Sequence, residues 1–372
     1  MTGPGAGTGT ARELAAGRAV VVCCGPGGVG KTTVAATFAL EAARLGRRAC
    51  VVTVDPARRL ADSLGVQSLP NTPTEVAGDW PGELHALMLD TKGTFDELIE
   101  RYAATPEQAQ AIRSNRMYQN LVGGLSGTQE YMAMEKLHEL TESARYDIVV
   151  VDTPPSRNAL DLLEAPGRLA RFLENRLFRA LLAPTRAYLR ALAVWAQALL
   201  RTLSTVAGAE FVQDAVTFFQ AFEGMEEGFR TRATAVRVLL ADPATAYVLV
   251  TSPRADAVEE TVFFASKLAG NGVAPAGLVV NRVHPRFGEG ATRAPGPASG
   301  VLGDLVANLH ELQAIGKRED EAVADLTAMV APAPVWRVPL LPSDVHDLGG
   351  LGEVADRLFG PSSPAPEAPG VG

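Results

Sequence analysis

A glycine-rich loop between an apolar run and a helix constrains this chain more than any other feature. The apolar run Ala19–Cys24 predicts a buried strand, and the segment GPGGVGKTT that follows leads into the first turn of a predicted helix. This segment meets the pattern G-x-x-x-x-G-K-[ST] through Gly25, Gly30, Lys31 and Thr32. A strand, this loop and a helix in that order are the context in which the pattern forms a phosphate-binding loop.

Each part of the pattern has a physical role in binding a polyphosphate. Glycines let the backbone N–H groups curl around the phosphates, and the helix N-terminus adds unpaired donors and a partial positive charge. Lys31 is expected to reach the β- and γ-phosphates, and the Thr32 hydroxyl is expected to be a Mg²⁺ ligand. The candidate nucleotide-binding residues in this loop are Gly27, Gly28, Val29, Gly30, Lys31, Thr32 and Thr33.

A second valine-rich run, Ala49–Val54, ends in Asp55. Two strands joined by one helix predict a βαβ unit with a parallel sheet. Asp55 followed by Pro56 satisfies a helix N-cap with proline at the first helical position. The same aspartate also lies at the carboxyl end of a strand beside the phosphate loop, where open α/β sheets bind ligands. Both interpretations stay open from the local sequence.

After a third predicted strand at Glu83–Leu89, a further apolar strand, predicted over residues 146–152, also ends in an aspartate, Asp152. P-loop proteins use an aspartate in this position to hold Mg²⁺, usually through water. The alternative is that Asp152 caps the next helix, and the metal role is favoured because a phosphate loop is already present. Thr153–Ser156 is then expected to be a switch segment that senses the γ-phosphate.

The bulk composition excludes several classes of protein. A net charge of −8 argues against nucleic acid as the main partner. Cys23, Cys24 and Cys50 all fall in apolar runs, so we expect them to be reduced and buried rather than part of a disulfide framework or a metal site. The chain has neither an apolar signal segment nor a long uncharged apolar stretch, so we expect a cytoplasmic protein without stable membrane insertion.

Three motifs together resemble a known family. GPGGVGKTT, VDPARRLADSLG and DTPPSRNALDLLEAP, in this order, resemble the arsenical-pump and tail-anchored-protein-targeting ATPases, and especially the actinobacterial branch of that family. The likeness covers most of residues 18–350. It implies an α/β fold whose P-loop core has a mostly parallel sheet, helices on both faces and a helical insert. It also implies that Asp55 orients the attacking water, that Asp152 belongs to the Mg²⁺ shell, and that residues 153–160 form a second switch.

The loop departs from the family pattern at one position. The family normally carries a second lysine directly after the first glycine, and that lysine reaches the nucleotide of the other subunit; this chain has Pro26 there. The resemblance therefore implies either a homodimer that hydrolyses ATP slowly or a heterodimer in which a related ATPase chain supplies the lysine.

The predicted insert, residues 164–235, divides a core made of residues 17–163 and 236–360. Seven arginines and two glutamates lie between Glu164 and Val206, interleaved with leucines and aromatic residues, which predicts amphipathic helices. A helical subdomain that buries its own apolar faces is the simpler interpretation; a groove for a hydrophobic client helix is the alternative. In the targeting branch such grooves are methionine-rich, and this insert has only Met225. The ends, residues 1–16 and 361–372, are predicted to be disordered.

The last part of the chain adds two residues to the candidate site. VVNRV resembles the family's adenine-binding element, which assigns Asn281 to the base edge, although a turn asparagine at a strand end is the alternative. Pro339 directly follows the predicted strand Val335–Val338, and the segment Pro339–Leu341 resembles the family loop that packs on the purine. Targeting members also bind zinc through a C-x-x-C pair shortly beyond this asparagine, and residues 286–300 contain no cysteine, so no zinc is expected there.

These observations predict a Mg²⁺- and ATP-dependent switch ATPase that couples its nucleotide state to a dimer and to a protein or hydrophobic client. A weakly hydrolysing regulatory subunit of a heterodimer is the first alternative, because of Pro26. A partitioning-type ATPase would need a basic DNA face or a membrane anchor, and an arsenite-responsive pump subunit would need a surface cysteine cluster. A small-molecule kinase would share the loop without both switch motifs.

Overall fold

Valine-rich runs form the strands of one eight-stranded sheet. The computed structural model describes residues 10–55, 58–124, 128–154, 214, 217–218, 220–286 and 300–360. Within these ranges the strands are β1 Val20–Cys24, β2 Arg48–Thr53, β3 Thr74–Glu75, β4 Glu83–Met88, β5 Ile148–Asp152, β6 Thr245–Thr251, β7 Gly277–Val283 and β8 Val335–Pro339. The strands predicted at Ala19–Cys24, Ala49–Val54 and residues 146–152 are therefore present as β1, β2 and β5, and the short β3 is an addition that the sequence did not predict.

The sheet has the order β3-β4-β2-β5-β1-β6-β7-β8, and each neighbouring pair is parallel except β3–β4. β1 lies inside the sheet, with β5 on one side and β6 on the other. The chain runs outward from β1 to one edge and later continues from β6 to the other edge. Open α/β sheets bind ligands at such a switch point, at the carboxyl ends of the strands.

Helices connect these strands along the chain. Within the described residues they are α1 Ala11–Gly17, α2 Lys31–Arg44, α3 Arg59–Ser63, α4 Thr91–Tyr102, α5 Pro106–Arg113, α6 Arg116–Gly124, α7 Thr128–Glu142, α8 Glu226–Ala241, α9 Ala255–Gly270, α10 Val301–Val330 and α11 Leu348–Phe359. Every residue of β1 and β5 is buried, so both faces at the centre of the sheet are covered. The predicted α/β fold with a mostly parallel sheet is confirmed.

The prediction of disorder for residues 1–16 is wrong for the part that the structure describes. α1 begins after Thr10, whose hydroxyl accepts a hydrogen bond from the Glu13 backbone while the Glu13 carboxylate accepts one from the Thr10 backbone. This capping box satisfies donors that a short helix would otherwise leave unpaired. Leu14 and Ala15 are buried in the same core as α2 and α11. Residues 1–9 and 361–372 lie outside the described residues.

The chain divides into two compact units. The first contains residues 1–88, 143–160 and 243–372, including the whole sheet; the second contains residues 89–142 and 161–242. The second unit therefore also takes in the helices α4 to α7, which the sequence analysis assigned to the core. Most of the predicted insert, residues 164–213, lies outside the described residues.

Two features hold the described part of the second unit together. Arg232 on α8 donates to the carboxylates of Glu135 and Glu142 on α7, and both Arg232 and Glu135 are buried. Phe218 and Phe222, two of the aromatic residues noted in the insert sequence, are buried and pack near Phe229. In this stretch these aromatic side chains are therefore buried.

No helix among the described residues is both long enough and apolar enough to cross a bilayer. Cys23, Cys24 and Cys50 are free thiols and buried, as the apolar runs around them predict.

Candidate functional site

The loop between β1 and α2 has a backbone that only glycine can adopt at several positions. Gly28 and Gly30 have φ angles of 76° and 90°, in the left-handed region that side chains disfavour. A Cβ at Gly25 would lie 2.0 Å from the Val250 carbonyl oxygen, and one at Gly30 would lie 2.4 Å from Nδ2 of Asn281. Gly25 and Gly30 are therefore required by the close approach of β6 and β7 to the loop, whereas Gly28 is favoured by its backbone conformation alone.

Lys31, the first residue of α2, lies against the loop. Its side chain is buried, and Nζ donates a hydrogen bond of 2.8 Å to the Pro26 carbonyl oxygen. Burial lowers the pKa of Lys31, and the negative charge of Asp152 opposes that shift. A neutral acceptor thus holds the ammonium group at the mouth of the loop. A phosphate oxygen could take the place of this carbonyl oxygen and would accept a stronger, charge-assisted hydrogen bond.

Asp152 ends β5, and its side chain is hydrogen-bonded to residues of β2 and α2. In the register of the sheet it lies opposite Cys23 of β1 and Thr53 of β2. Its Oδ2 accepts from the hydroxyls of Thr32, at 2.7 Å, and Thr53, at 2.9 Å. Burial raises the pKa of Asp152, and these two hydrogen bonds counteract the shift.

The second oxygen of the same carboxylate is buried and has no hydrogen-bond partner among the described residues. A buried carboxylate oxygen without a partner is costly unless a cation or an ordered water satisfies it. A threonine hydroxyl next to such a carboxylate, at the mouth of a phosphate loop, fits a Mg²⁺ site. The side chain of Asp152 is engaged with β2 and α2, which argues against a purely capping role.

Asp55 lies two residues beyond the end of β2, at the same edge of the sheet. Its backbone N–H donates to the Thr53 hydroxyl, and its carboxylate lies 3.7 Å from the Arg59 guanidinium. α3 begins at Arg59, with Arg58 at its N-cap position, so the N-cap interpretation of Asp55 is wrong. The turn from β2 places this aspartate in the wall of the cleft described next.

These elements enclose a cleft of about 470 Å³ at the carboxyl ends of the strands. Its lining includes eight of the predicted residues, namely Gly28, Gly30, Lys31, Thr32, Thr33, Asp55, Asn281 and Pro339. Gly27 and Val29 belong to the loop, where the Val29 side chain is buried in the core, so only its backbone can serve a ligand. Asp152 is connected to the cleft indirectly, since it accepts a hydrogen bond from Thr32, which lines the cleft. The lining also includes residues that the sequence analysis did not single out: Arg59, Asp62, Ser63, Arg282, Ser343, Asp344 and His346.

Asn281 lies at the end of β7 and contacts the loop directly. Its Nδ2 donates a hydrogen bond of 2.8 Å to the Val29 carbonyl, and its Oδ1 accepts from the backbone of Arg282. The side chain predicted to bind adenine therefore also fixes the phosphate loop. Arg282 lies in the left-handed region, with φ 59°, at a bulge between β7 and β8. No local sequence signal identifies that conformation in a non-glycine residue.

No group of three or more His, Cys, Asp or Glu side chains suited to a metal occurs among the described residues. Residues 287–299, which contain most of the segment considered for zinc, lie outside that part of the chain.

Comparisons with known proteins agree with this geometry. A model of the anion-transporting ATPase family matches residues 18–293, a range that contains each predicted site residue except Pro339. An uncharacterized protein of Streptomyces coelicolor is 34% identical over 81% of this chain and 70% of its own length. The ATPase asna-1 of Caenorhabditis elegans is 30% identical over 40% of this chain and 45% of its own. A protein of Aquifex aeolicus named as an arsenical pump-driving ATPase is 21% identical over 93% of this chain and 80% of its own.

Proposed function

Because the chain belongs to the anion-transporting ATPase family, and is an ATPase of that family, we propose that it hydrolyses Mg·ATP in the cleft at the carboxyl ends of β1, β2 and β5. The observation that supports the Mg²⁺ requirement is the buried Asp152 carboxylate. One of its oxygens accepts from Thr32, and the other has no partner within the part of the chain that the structure describes. A bound Mg²⁺ would neutralise charge that develops on the phosphates.

Different residues of the chain then position the nucleotide and neutralise the charge of its phosphates. Backbone N–H groups of residues 27–33 bind the phosphate oxygens at the N-terminus of α2. Lys31 moves its ammonium hydrogen bond from the Pro26 carbonyl to the β- and γ-phosphates. Thr32 and Asp152 would hold the Mg²⁺ ion and its water ligands. Hydrolysis in such sites depends mainly on this arrangement, because the protein forms no covalent bond to the substrate.

Asp55 is proposed to accept a hydrogen bond from the attacking water and orient it. Its carboxylate lines the cleft that contains the phosphate loop and lies 3.7 Å from the Arg59 guanidinium. Asn281 and Pro339 line the cleft as well and are proposed to contact the adenine.

Paired substitutions test this assignment. Lys31→Ala should remove most of the thermal stabilisation that Mg·ATP gives the protein, because the variant lacks the mobile cation on the phosphates. Asp55→Asn should bind Mg·ATP nearly as well as wild type but lower kcat by about 100-fold or more, the range expected when the group that positions a reacting water is lost. Asp62→Asn, which removes another carboxylate from the same cleft, is the matched control and should slow turnover much less. Equal rates for Asp55→Asn and wild type would refute the catalytic assignment.

We further propose that nucleotide state is coupled to a dimer, and through it to a protein or hydrophobic client. The support is the resemblance of the loop and both switch motifs to ATPases that act in this way, together with the family match. Light scattering of the purified chain with Mg·ATP, with Mg·ADP and without nucleotide tests the coupling. A monomer in all three states would exclude a homodimer and leave a heterodimer with a related chain, which recovery of the complex from native cells would test.

A further inference from the structure

Arg282 is a cation in the cleft to which the proposed reaction assigns no role. It follows Asn281 at the end of β7, and its side chain is exposed and lines the cleft together with Gly28, Gly30 and Lys31. Its Nη1 donates a hydrogen bond of 3.0 Å to the Gly28 carbonyl oxygen. The guanidinium group therefore lies against the centre of the phosphate loop, far from it in the sequence.

The backbone at this point has an uncommon conformation. Arg282 has a φ of 59° at a β-bulge, where most side chains are disfavoured and glycine or asparagine is the usual choice. Such conformations persist only where the surrounding structure stabilises them, and they are concentrated at ligand-binding sites. The bulge lets two successive residues reach the loop: Asn281 contacts Val29, and Arg282 contacts Gly28.

Arg282 shares one feature with Lys31, a hydrogen bond to a backbone carbonyl of the phosphate loop. Both cations donate to backbone carbonyls of the loop, Lys31 to Pro26 and Arg282 to Gly28. Among the described residues Arg282 has no carboxylate within ion-pair distance, whereas Arg59 in the same cleft pairs with Asp55. A carbonyl oxygen uses one of the five N–H donors of a guanidinium group. The remaining donors form a planar fork that matches the oxygens of a phosphate.

We propose that Arg282 binds the phosphate groups of the nucleotide directly, as a second cation beside Lys31. The inference rests on the proposed function, since it requires a nucleotide in this cleft. When the nucleotide binds, phosphate oxygens replace the Gly28 carbonyl oxygen as acceptors for the Arg282 N–H groups. Two successive residues of β7 then contact opposite ends of the nucleotide, Asn281 the base and Arg282 the phosphates.

The test measures affinity with a ligand that has phosphates and no base. Inorganic triphosphate competes with a fluorescent ATP analogue for the purified full-length chain, and adenosine serves as the competitor without phosphates. Arg282→Asn removes the guanidinium group but keeps a residue that tolerates the left-handed backbone. Arg254→Gln, at an exposed arginine that contacts Asp256 and does not line the cleft, is the matched control for loss of one positive charge.

Loss of a charge-assisted contact should weaken binding of ATP and of inorganic triphosphate by about 10- to 100-fold in Arg282→Asn. The control should match wild type, and the inhibition constant of adenosine should stay the same. The dependence of triphosphate binding on salt should also become shallower in Arg282→Asn, and Arg282→Lys should restore it. If Arg282 only held the Gly28 carbonyl in place, Arg282→Asn would not change the salt dependence of triphosphate binding.

Three results would overturn the proposal. The first is weaker ATP binding with unchanged triphosphate binding, which would move Arg282 to the base or ribose. The second is weaker triphosphate binding with an unchanged salt dependence, which would make Arg282 a positioning residue. The third is no effect of Arg282→Asn while Lys31→Ala abolishes binding, which would leave the proposed function intact. If Lys31→Ala also has no effect, the cleft is not the nucleotide site and both proposals fail.

Discussion

Gly30 is the position where the structure makes its sharpest energetic prediction. In Gly30→Ala the new methyl group would lie 2.4 Å from Nδ2 of Asn281, whereas ordinary van der Waals contacts begin near 3.4 Å. The substitution also forces alanine into a backbone with φ 90°. Two separate costs are therefore expected, one from the backbone and one from the displaced Asn281 side chain.

The two costs can be estimated separately. A non-glycine residue in the left-handed region costs about 1–2 kcal/mol. Displacing Asn281 breaks its 2.8 Å hydrogen bond to the Val29 carbonyl, which adds about 1 kcal/mol. Gly30→Ala should therefore lower the free energy of unfolding by about 2–3 kcal/mol, the sum of these two terms.

Gly28→Ala is the matched control within the same loop. Gly28 also has a left-handed backbone, with φ 76°, but a Cβ there would meet no atom within 4 Å. This variant should incur only the backbone cost, about 1–2 kcal/mol. Urea unfolding of both variants without nucleotide, followed by tryptophan fluorescence and circular dichroism, measures the difference.

A double-mutant cycle isolates the side-chain term. In an Asn281→Ala background the methyl group of Gly30→Ala has room, so the cost of the glycine substitution should fall to that of Gly28→Ala. Equal destabilisation by Gly28→Ala and Gly30→Ala in the wild-type background would refute the reasoning. It would mean that Asn281 of β7 does not lie close enough to Gly30 to clash with an added methyl group.

Three further predictions concern the metal, the partner chain and pH. Thr32→Val should raise the Mg²⁺ concentration needed for half-maximal ATPase activity by about tenfold or more, while Thr53→Val, which removes the other hydroxyl bonded to Asp152, should have a smaller effect; equal shifts would contradict a ligand role for Thr32. Because of Pro26, the chain alone should bind ATP yet hydrolyse it more slowly per site than the complex isolated from its own cells; equal rates with only a homodimer recovered would contradict this. Arg48 lowers the pKa of Asp147 to about 2, from an ordinary value of 3.8, so ionised Asp147 stabilises the fold above about pH 4 and that stabilisation is lost as pH falls towards 2. The difference in unfolding free energy between wild type and Asp147→Asn should disappear over that range, and a pH-independent difference would contradict the pairing.

Much of the candidate site could be predicted because its signals are local. The change from an apolar strand to glycines and then to a helix lies within Ala19–Thr33, and the spacing of its glycines and lysine suffices to predict a phosphate loop. Asp55 and Asp152 were found for a similar reason, since each follows a valine-rich run that can only be a buried strand. Parallel strands bring their carboxyl ends to one edge of the sheet, so these residues were expected to meet.

Other features depend on residues far apart in the chain, and the sequence contained no signal for them. α1 was predicted to be disordered because its composition is rich in small residues; burial of Leu14 against α2 makes it a helix. The role of Asp55 as a helix cap stayed open until the start of α3 at Arg59 was known.

The sequence by itself therefore determined the strand pattern, the phosphate loop and the two acidic strand ends, since each depends on neighbours within a few residues. Only the tertiary structure decided that the hydroxyls of Thr32 and Thr53 donate to the same oxygen of Asp152, while its other oxygen has no partner among the residues described. It also decided that Arg282, 254 positions from Gly28, lies against the loop. The physical reason is that the order of strands in the sheet, with β5 between β1 and β2 and β7 near β1, sets which side chains meet, and that order is fixed by packing of the whole domain.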